Sequence, residues 1–271
     1  MKKRLCSPQF YFLSALVSAF VACVVQIFAY QSAYGKPLEN YFSATSPLPK
    51  IATAFSVLCC ALGVVAIFLS TKDQLDEKIP EADLSALPAA VGFLAGAVLM
   101  LLSNHTPLTY VIAGCFFLAS VYNILLVFRL IEDSTIIALI GFSNIIGCIL
   151  LIGYFYFDSS LEMNAPVKIG ALVALLFTAL SYTCEIKALL GNPLPRISSL
   201  LTVCVAGIGA LASLPLALAY LFFHCFDKTS IYATSALPFK HPEYLACSLI
   251  LIGVCTTAVW RICRLIRSQE N

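Results

Sequence analysis

The sequence predicts an all-α, polytopic transmembrane bundle of about eight spans, arranged as four in-out hairpins with both termini in the cytoplasm. Three observations predict it. Apolar residues make up 61% of the 271-residue chain and charged residues only 11%, against about 45–50% and about 25% in ordinary soluble domains. A soluble fold of this length cannot hide so much apolar surface, so lipid has to cover much of it. The apolar residues also fall into eight runs long enough to cross a hydrocarbon layer about 30 Å thick. Finally, the basic residues divide unequally between the two sides that this threading creates.

The runs are approximately 10–30, 51–70, 86–103, 108–128, 135–157, 166–189, 198–223 and 243–263. The first follows Met1-Lys2-Lys3-Arg4 and would resemble a secretory leader if it were shorter. Its length of about 20 residues suits a retained span better. In lipid the backbone must satisfy its own hydrogen bonds, so each span is expected to be a helix; the alternation of a membrane β-barrel is absent. The third and fourth runs are separated by the short Asn104-His105-Thr106-Pro107 turn. Asn104-His105-Thr106 matches the N-glycosylation pattern but abuts the membrane and precedes Pro107, so it is discounted. The seventh run is the least regular, with Gly207-Ile208-Gly209 and an interior Pro215 that frees a carbonyl one turn earlier.

Placing both termini inside puts eleven Lys and Arg on the inner side and five on the outer, the five being Lys36, Lys50, Lys168, Lys228 and Lys240. Every Arg then lies inside, as the positive-inside rule requires of an even number of spans. The inner linker 71–85 mixes both signs and reads as solvated. Nine of twelve tyrosines fall at the outer boundary or in outer loops. An aromatic belt occupies both interfaces, so this asymmetry suggests that some of them line an outer cleft. The expectation is one integral membrane domain over 1–271, in a bacterial plasma membrane.

Two outer loops carry the same phrase, A-T-S-x-L-P, at 44–49 and 233–238. Each follows a span containing Ala-Tyr, Ala29-Tyr30 or Ala219-Tyr220, and each leads to a Lys and a further span. Spans 1–2 therefore resemble spans 7–8. His-Pro-Tyr combinations open spans 4 and 8, and glycine pairs mark span 3 (Gly92, Gly96) and span 7 (Gly207, Gly209). These likenesses suggest a parallel internal repeat, an architecture known among transporters.

Few residues announce chemistry. Twelve cysteines are scattered through apolar runs without metal-ligand spacing and read as small, polarizable packing residues. Metalloprotease, nucleophile-elbow and phosphate-loop motifs are missing, so no enzymatic activity and no cofactor are expected. A net charge of +2 gives no basic stripe for nucleic acid. The histidines His105, His224 and His241 lie on the outer side with Asp158, Glu162 and Asp227, without a spacing that enforces convergence. Polar residues inside spans remain as candidate ligand-binding positions: Gln26, Asn123, Asn144 and Glu185, together with the kink-forming Pro215. Interhelical hydrogen bonding also explains such residues.

The functional expectation is a non-catalytic protein that binds or moves a small, weakly charged or apolar solute through an outer vestibule. A charge-free midplane argues against ion-coupled pumping. The alternative is a structural or accessory subunit of a larger complex, its small-residue stripes serving helix packing. The partners expected are the bilayer, a small ligand, and a membrane protein or a second copy of the chain.

Overall fold

The computed structural model describes residues 7–34, 41–71, 75, 83–103, 106–128, 133–159, 161–225 and 241–268, with backbone alone for 222–225 and 268. Nine helices account for most of them: α1 (Pro8–Ala33), α2 (Leu48–Leu69), α3 (Leu87–Leu102, entered through a 3₁₀ turn, Leu84–Ala86), α4 (Pro107–Phe128), α5 (Ser134–Phe157), α6 (Pro166–Leu189), α7 (Pro195–Ala212), α8 (Leu214–Cys225) and α9 (Pro242–Ser268). With α7 and α8 counted as one interrupted span, eight helical segments are long and apolar enough to cross a membrane. Among the described residues the only strand-like feature is an antiparallel bridge between Tyr34 and Phe42.

Proline starts most of these helices. It occupies the first turn of α1, α2, α3, α6 and α7, while α4 and α9 begin on Pro107 and Pro242. The first N–H groups of a helix lack an internal acceptor, so a residue with none, and with φ already fixed, costs nothing there. α5 starts differently: the Asp133 carboxylate accepts from the Thr135 amide at 2.8 Å, an N-cap that also suits the positive helix end.

Contacts define two ends of the bundle. Gln9 donates to the Ile266 carbonyl at 3.5 Å, so the start of α1 and the finish of α9 share the near end. At the far end Tyr154 of α5 donates to Glu243 of α9 at 3.1 Å. Lys168 of α6 is buried there and donates to the carbonyls of Asp158 and Leu161 at 2.7 and 3.1 Å.

α7 is the most enclosed span, with α1, α2, α6 and α9 packed around it. Small residues bring these helices together. A Cβ added to Gly207 would sit 3.0 Å from the Cys59 Sγ of α2, and one on Gly253 would sit 2.4 Å from the Pro88 carbonyl oxygen of α3. Without a hydrophobic drive between helices in lipid, such close approach is what holds them. The Ser56 hydroxyl adds a hydrogen bond to the Gly207 carbonyl at 2.8 Å. The described cysteines are free, and Cys59, Cys148, Cys184, Cys204 and Cys247 are buried.

The irregularity expected in the seventh span is a break at Ser213, where ψ is −104° and α7 gives way to α8. Pro215 has no N–H to return to the Leu211 carbonyl, so the ladder cannot run through. The linker 71–85, expected to be solvated, buries both Leu75 and Asp83. The first A-T-S-x-L-P copy folds across the far end; the second, at 233–238, lies outside the described residues.

Candidate functional site

The far end holds a cavity of about 790 Å³. Its floor comes from Gln26 and Tyr30, one turn apart on the same face of α1, and from Leu211, Ala212 and Leu216 around the break in α7–α8. α2 supplies Lys50, Thr53 and Val57 to one side, and α6 supplies Pro166, Val167 and Gly170 to the other. Both α2 and α6 rest on α7, and the cavity is the space left between them.

The first A-T-S-x-L-P loop forms the rim. The Ser43 amide donates to the Ala33 carbonyl at 2.8 Å, which turns the chain back over α1. Phe42 then packs on Tyr30 and Tyr34, with both ring-centroid separations 5.2 Å. Beyond it the Tyr41 hydroxyl sits against Glu162 and, at 2.5 Å, Asn164, tying the rim to the α5–α6 connection. The Glu162 hydrogen bond pushes the Tyr41 hydroxyl pKa above its ordinary value. Ser46 accepts from the Leu48 amide at 3.4 Å as α2 begins.

A different constellation closes the near end. Glu185 of α6 is 9% exposed, and its carboxylate receives Arg261 of α9 at 2.8 Å and the Tyr122 hydroxyl of α4 at 3.2 Å. Arg261 also reaches Asp83 at 3.4 Å, and Arg264, three residues on and on the same helix face, reaches Asp83 at 2.5 Å. Asp83 caps the 3₁₀ turn as well, accepting from the Ser85 amide and hydroxyl at 3.1 and 2.5 Å. Two carboxylates and two guanidiniums therefore tie α6 and α9 to the entry of α3. A space of only about 70 Å³ lies beside them, lined also by Leu194 and Ser198.

Burial would raise the Asp83 carboxyl, but Arg261, Ser85 and Arg264 outweigh it and hold the group below its ordinary value of 3.8. A carboxyl depressed on folding stabilises above its unfolded pKa, and that contribution is lost as pH falls through the folded value. The stability gap between wild type and Asp83→Asn is therefore expected to be full at pH 7. It should begin to shrink as pH falls past about 4 and close only below the depressed folded value, as read by thermal unfolding in detergent on acidification.

The sequence candidates separate into two groups. Gln26 lines the far cavity, and Pro215 is buried beside it, next to Leu216. Glu185, Asn123 and Asn144 belong to the other half. Asn123 donates to Asn144 at 3.2 Å and to the Ala119 carbonyl at 2.8 Å, while Asn144 donates to the Gly141 carbonyl at 3.0 Å. The Tyr182 hydroxyl donates to the Asn123 side-chain oxygen at 3.3 Å. This pairing joins α4, α5 and α6 and does not reach the cavity.

Four residues escaped the sequence reading in their actual roles: Asp83, Arg261, Arg264 and Glu243. Arg261 fell inside the expected span 243–263, a position where an unpaired charge is costly; that signal pointed to a buried carboxylate partner. Glu243 is 1% exposed in the first turn of α9 and accepts from Tyr154. A carboxylate suits that helix end electrostatically. His241 lies 3.9 Å from Glu243; His105 and Asp227, and the side chain of His224, lie outside the described residues.

No known protein family, characterised protein or solved structure matches this chain.

Proposed function

We propose that the protein is a non-catalytic, multi-pass membrane protein, one membrane domain, that binds a small, weakly charged or apolar solute in the far-end cavity and passes it onward. The observation that carries this reading is the cavity itself. At about 790 Å³ it falls within the roughly 300–1,000 Å³ of small-molecule sites, and its mostly apolar wall with a few placed polar groups matches their chemistry. Threading by the basic residues, with both termini in the cytoplasm, makes the far end the outer one. The ion-paired near end would then be the closed cytoplasmic side, and the interrupted α7–α8 span the element that bends as the solute moves.

Cysteine accessibility tests the reading. With a membrane-impermeant maleimide added to intact cells, Gln26→Cys and Thr53→Cys are expected to label above the wild-type background. Asn144→Cys, enclosed in its hydrogen-bonded network, should not. If the first two react no faster than the third, the cavity is not an outer binding site.

A further inference from the structure

We propose that the occupant of the far-end cavity is an anionic membrane lipid that enters sideways from the bilayer. Its headgroup would sit between the amino ends of α2 and α6, and its chain would run down along α2. The inference rests on the cavity reading above, keeps the cavity, and replaces the small solute with an amphiphile whose charge stays at the rim, entering by a stated route.

The route follows from how the walls are built. α2 and α6 both pack on α7, and the cavity lies in the space between them. Val57 both lines the cavity and is 62% exposed; the same side chain belongs to the pocket and to the surface that acyl chains cover. At 1.5 Å per residue, Val57 lies about 10 Å deeper than Lys50 along α2, the span of a headgroup and the upper part of a chain. Gly170 faces it from α6, where an added Cβ would meet only the Ala212 Cβ, at 3.9 Å.

Polarity is sorted by depth in the way an amphiphile requires. At the mouth are Lys50, Ser43 and Ser46, the Ser43 hydroxyl paired with that of Thr45 at 2.8 Å and the Ser46 hydroxyl accepting from the Leu48 amide. The first turns of α2 and α6 both open there, and helix amino ends carry partial positive charge, although Pro49 and Pro166 offer no N–H and the Leu48 amide is taken by Ser46. Among the described residues no carboxylate lines the cavity; Glu162 stands outside it, behind the Tyr41 hydroxyl at the rim, and Lys50 is the charged side chain of the lining. Deeper down, the polar groups are already engaged: the Thr53 hydroxyl donates to the Pro49 carbonyl at 2.9 Å, and the Gln26 amide is hydrogen-bonded with Tyr30. What they leave is an apolar wall suited to a hydrocarbon chain. A soluble polar solute would find its hydrogen-bonding partners only at the rim.

The test uses the full chain reconstituted in phosphatidylcholine vesicles. These carry a small fraction of either phosphatidylglycerol or phosphatidylcholine bearing the same diazirine-labelled acyl chain. After irradiation, adducts are mapped by peptide mass spectrometry. The phosphatidylglycerol probe is expected to label peptides of α2 and α6 about fivefold more than the phosphatidylcholine probe, the factor that one lysine near a membrane surface supplies. Lys50→Glu should erase that preference, and Gly170→Trp, which fills the cavity, should lower labelling by both probes. Lys50→Gln, which removes the charge without reversing it, should bring the preference to about one, and melting temperatures should show that the variants are folded. Equal labelling by the two probes, or a preference that survives Lys50→Glu, would mean ordinary contact with surrounding lipid and would overturn the proposal. Thiol labelling of Thr53→Cys in lipid-depleted detergent separates the two readings. A reactive thiol without selective adducts removes the lipid alone, and an unreactive thiol removes the cavity as well.

Discussion

Arg261→Met is expected to destabilise the protein by about 3 kcal/mol, measured by thermal or denaturant unfolding in detergent. The guanidinium is the shared partner of Glu185 and Asp83, and removing it leaves Glu185, among the described residues, with only the Tyr122 hydroxyl. Breaking a buried ion pair by deleting one partner costs roughly 3–5 kcal/mol, chiefly because the other charge is stranded. The 17% exposure of Arg261 places the cost at the lower end of that range. The double variant Arg261→Met with Glu185→Gln should recover much of the loss, since the amide can still accept from Tyr122 and carries no charge to strand. Asp83 retains Arg264 and Ser85 in both backgrounds. If the double variant is as unstable as the sum of the single ones, the residues are not coupled and the pairing is not the source of the cost.

Gly253→Leu should be still more damaging. A Cβ at this position would lie 2.4 Å from the Pro88 carbonyl oxygen and 3.1 Å from the Gly92 Cα. Both obstacles are backbone, so no side chain can swing aside and α3 must move away from α9. Overpacking costs about 1–3 kcal/mol even where neighbours adjust, which sets Gly253→Ala at that level and Gly253→Leu above it. Gly92→Ala should behave like Gly253→Ala, because its Cβ would lie 2.8 Å from the Leu249 carbonyl oxygen. Gly114→Ala and Gly153→Ala are the controls: nothing lies within 4 Å of either added Cβ, and helix propensity alone favours the change by about 0.5–1 kcal/mol. Melting temperatures of the four alanine variants should fall into two pairs, lowered and unchanged or raised. Four similar values would remove the close α3–α9 crossing.

The spans were legible in the sequence because lipid imposes a one-dimensional rule: length and apolarity suffice, and Pro8, Pro107, Pro166 and Pro242 mark starts within a few residues of the expected ones. The interruption of the seventh span was legible for the same local reason, since Pro215 removes a donor wherever it sits. The end-closing network was not, because it is assembled across the chain. Arg261 and Arg264 carry the pattern of interfacial anchors, and Asp83 sits in a stretch whose mixed charges resemble a solvated linker. Only the crossing of α9 with α6 and the entry of α3 makes them partners. Gln26 could be recognised as a polar residue inside a span. That it faces a cavity while Asn123 and Asn144 face each other depends on helix rotations that hydropathy does not encode.

The pairing of early helices with α9 also dictates an order of events during synthesis. The glycine face of α3 is made about 160 residues before Gly253, and Asp83 and Glu185 are both made before either arginine. At translation rates of about 5–20 residues per second, α3 waits on the order of 10–30 s for the helix it crosses. During that interval its glycine face lacks α9, and Asp83 and Glu185 have their Ser85 and Tyr122 donors but not their guanidiniums, which is the state that membrane quality-control proteases and insertion chaperones meet. Ribosomes stalled before residue 242 should therefore carry a chain with its spans inserted but its near end unlatched.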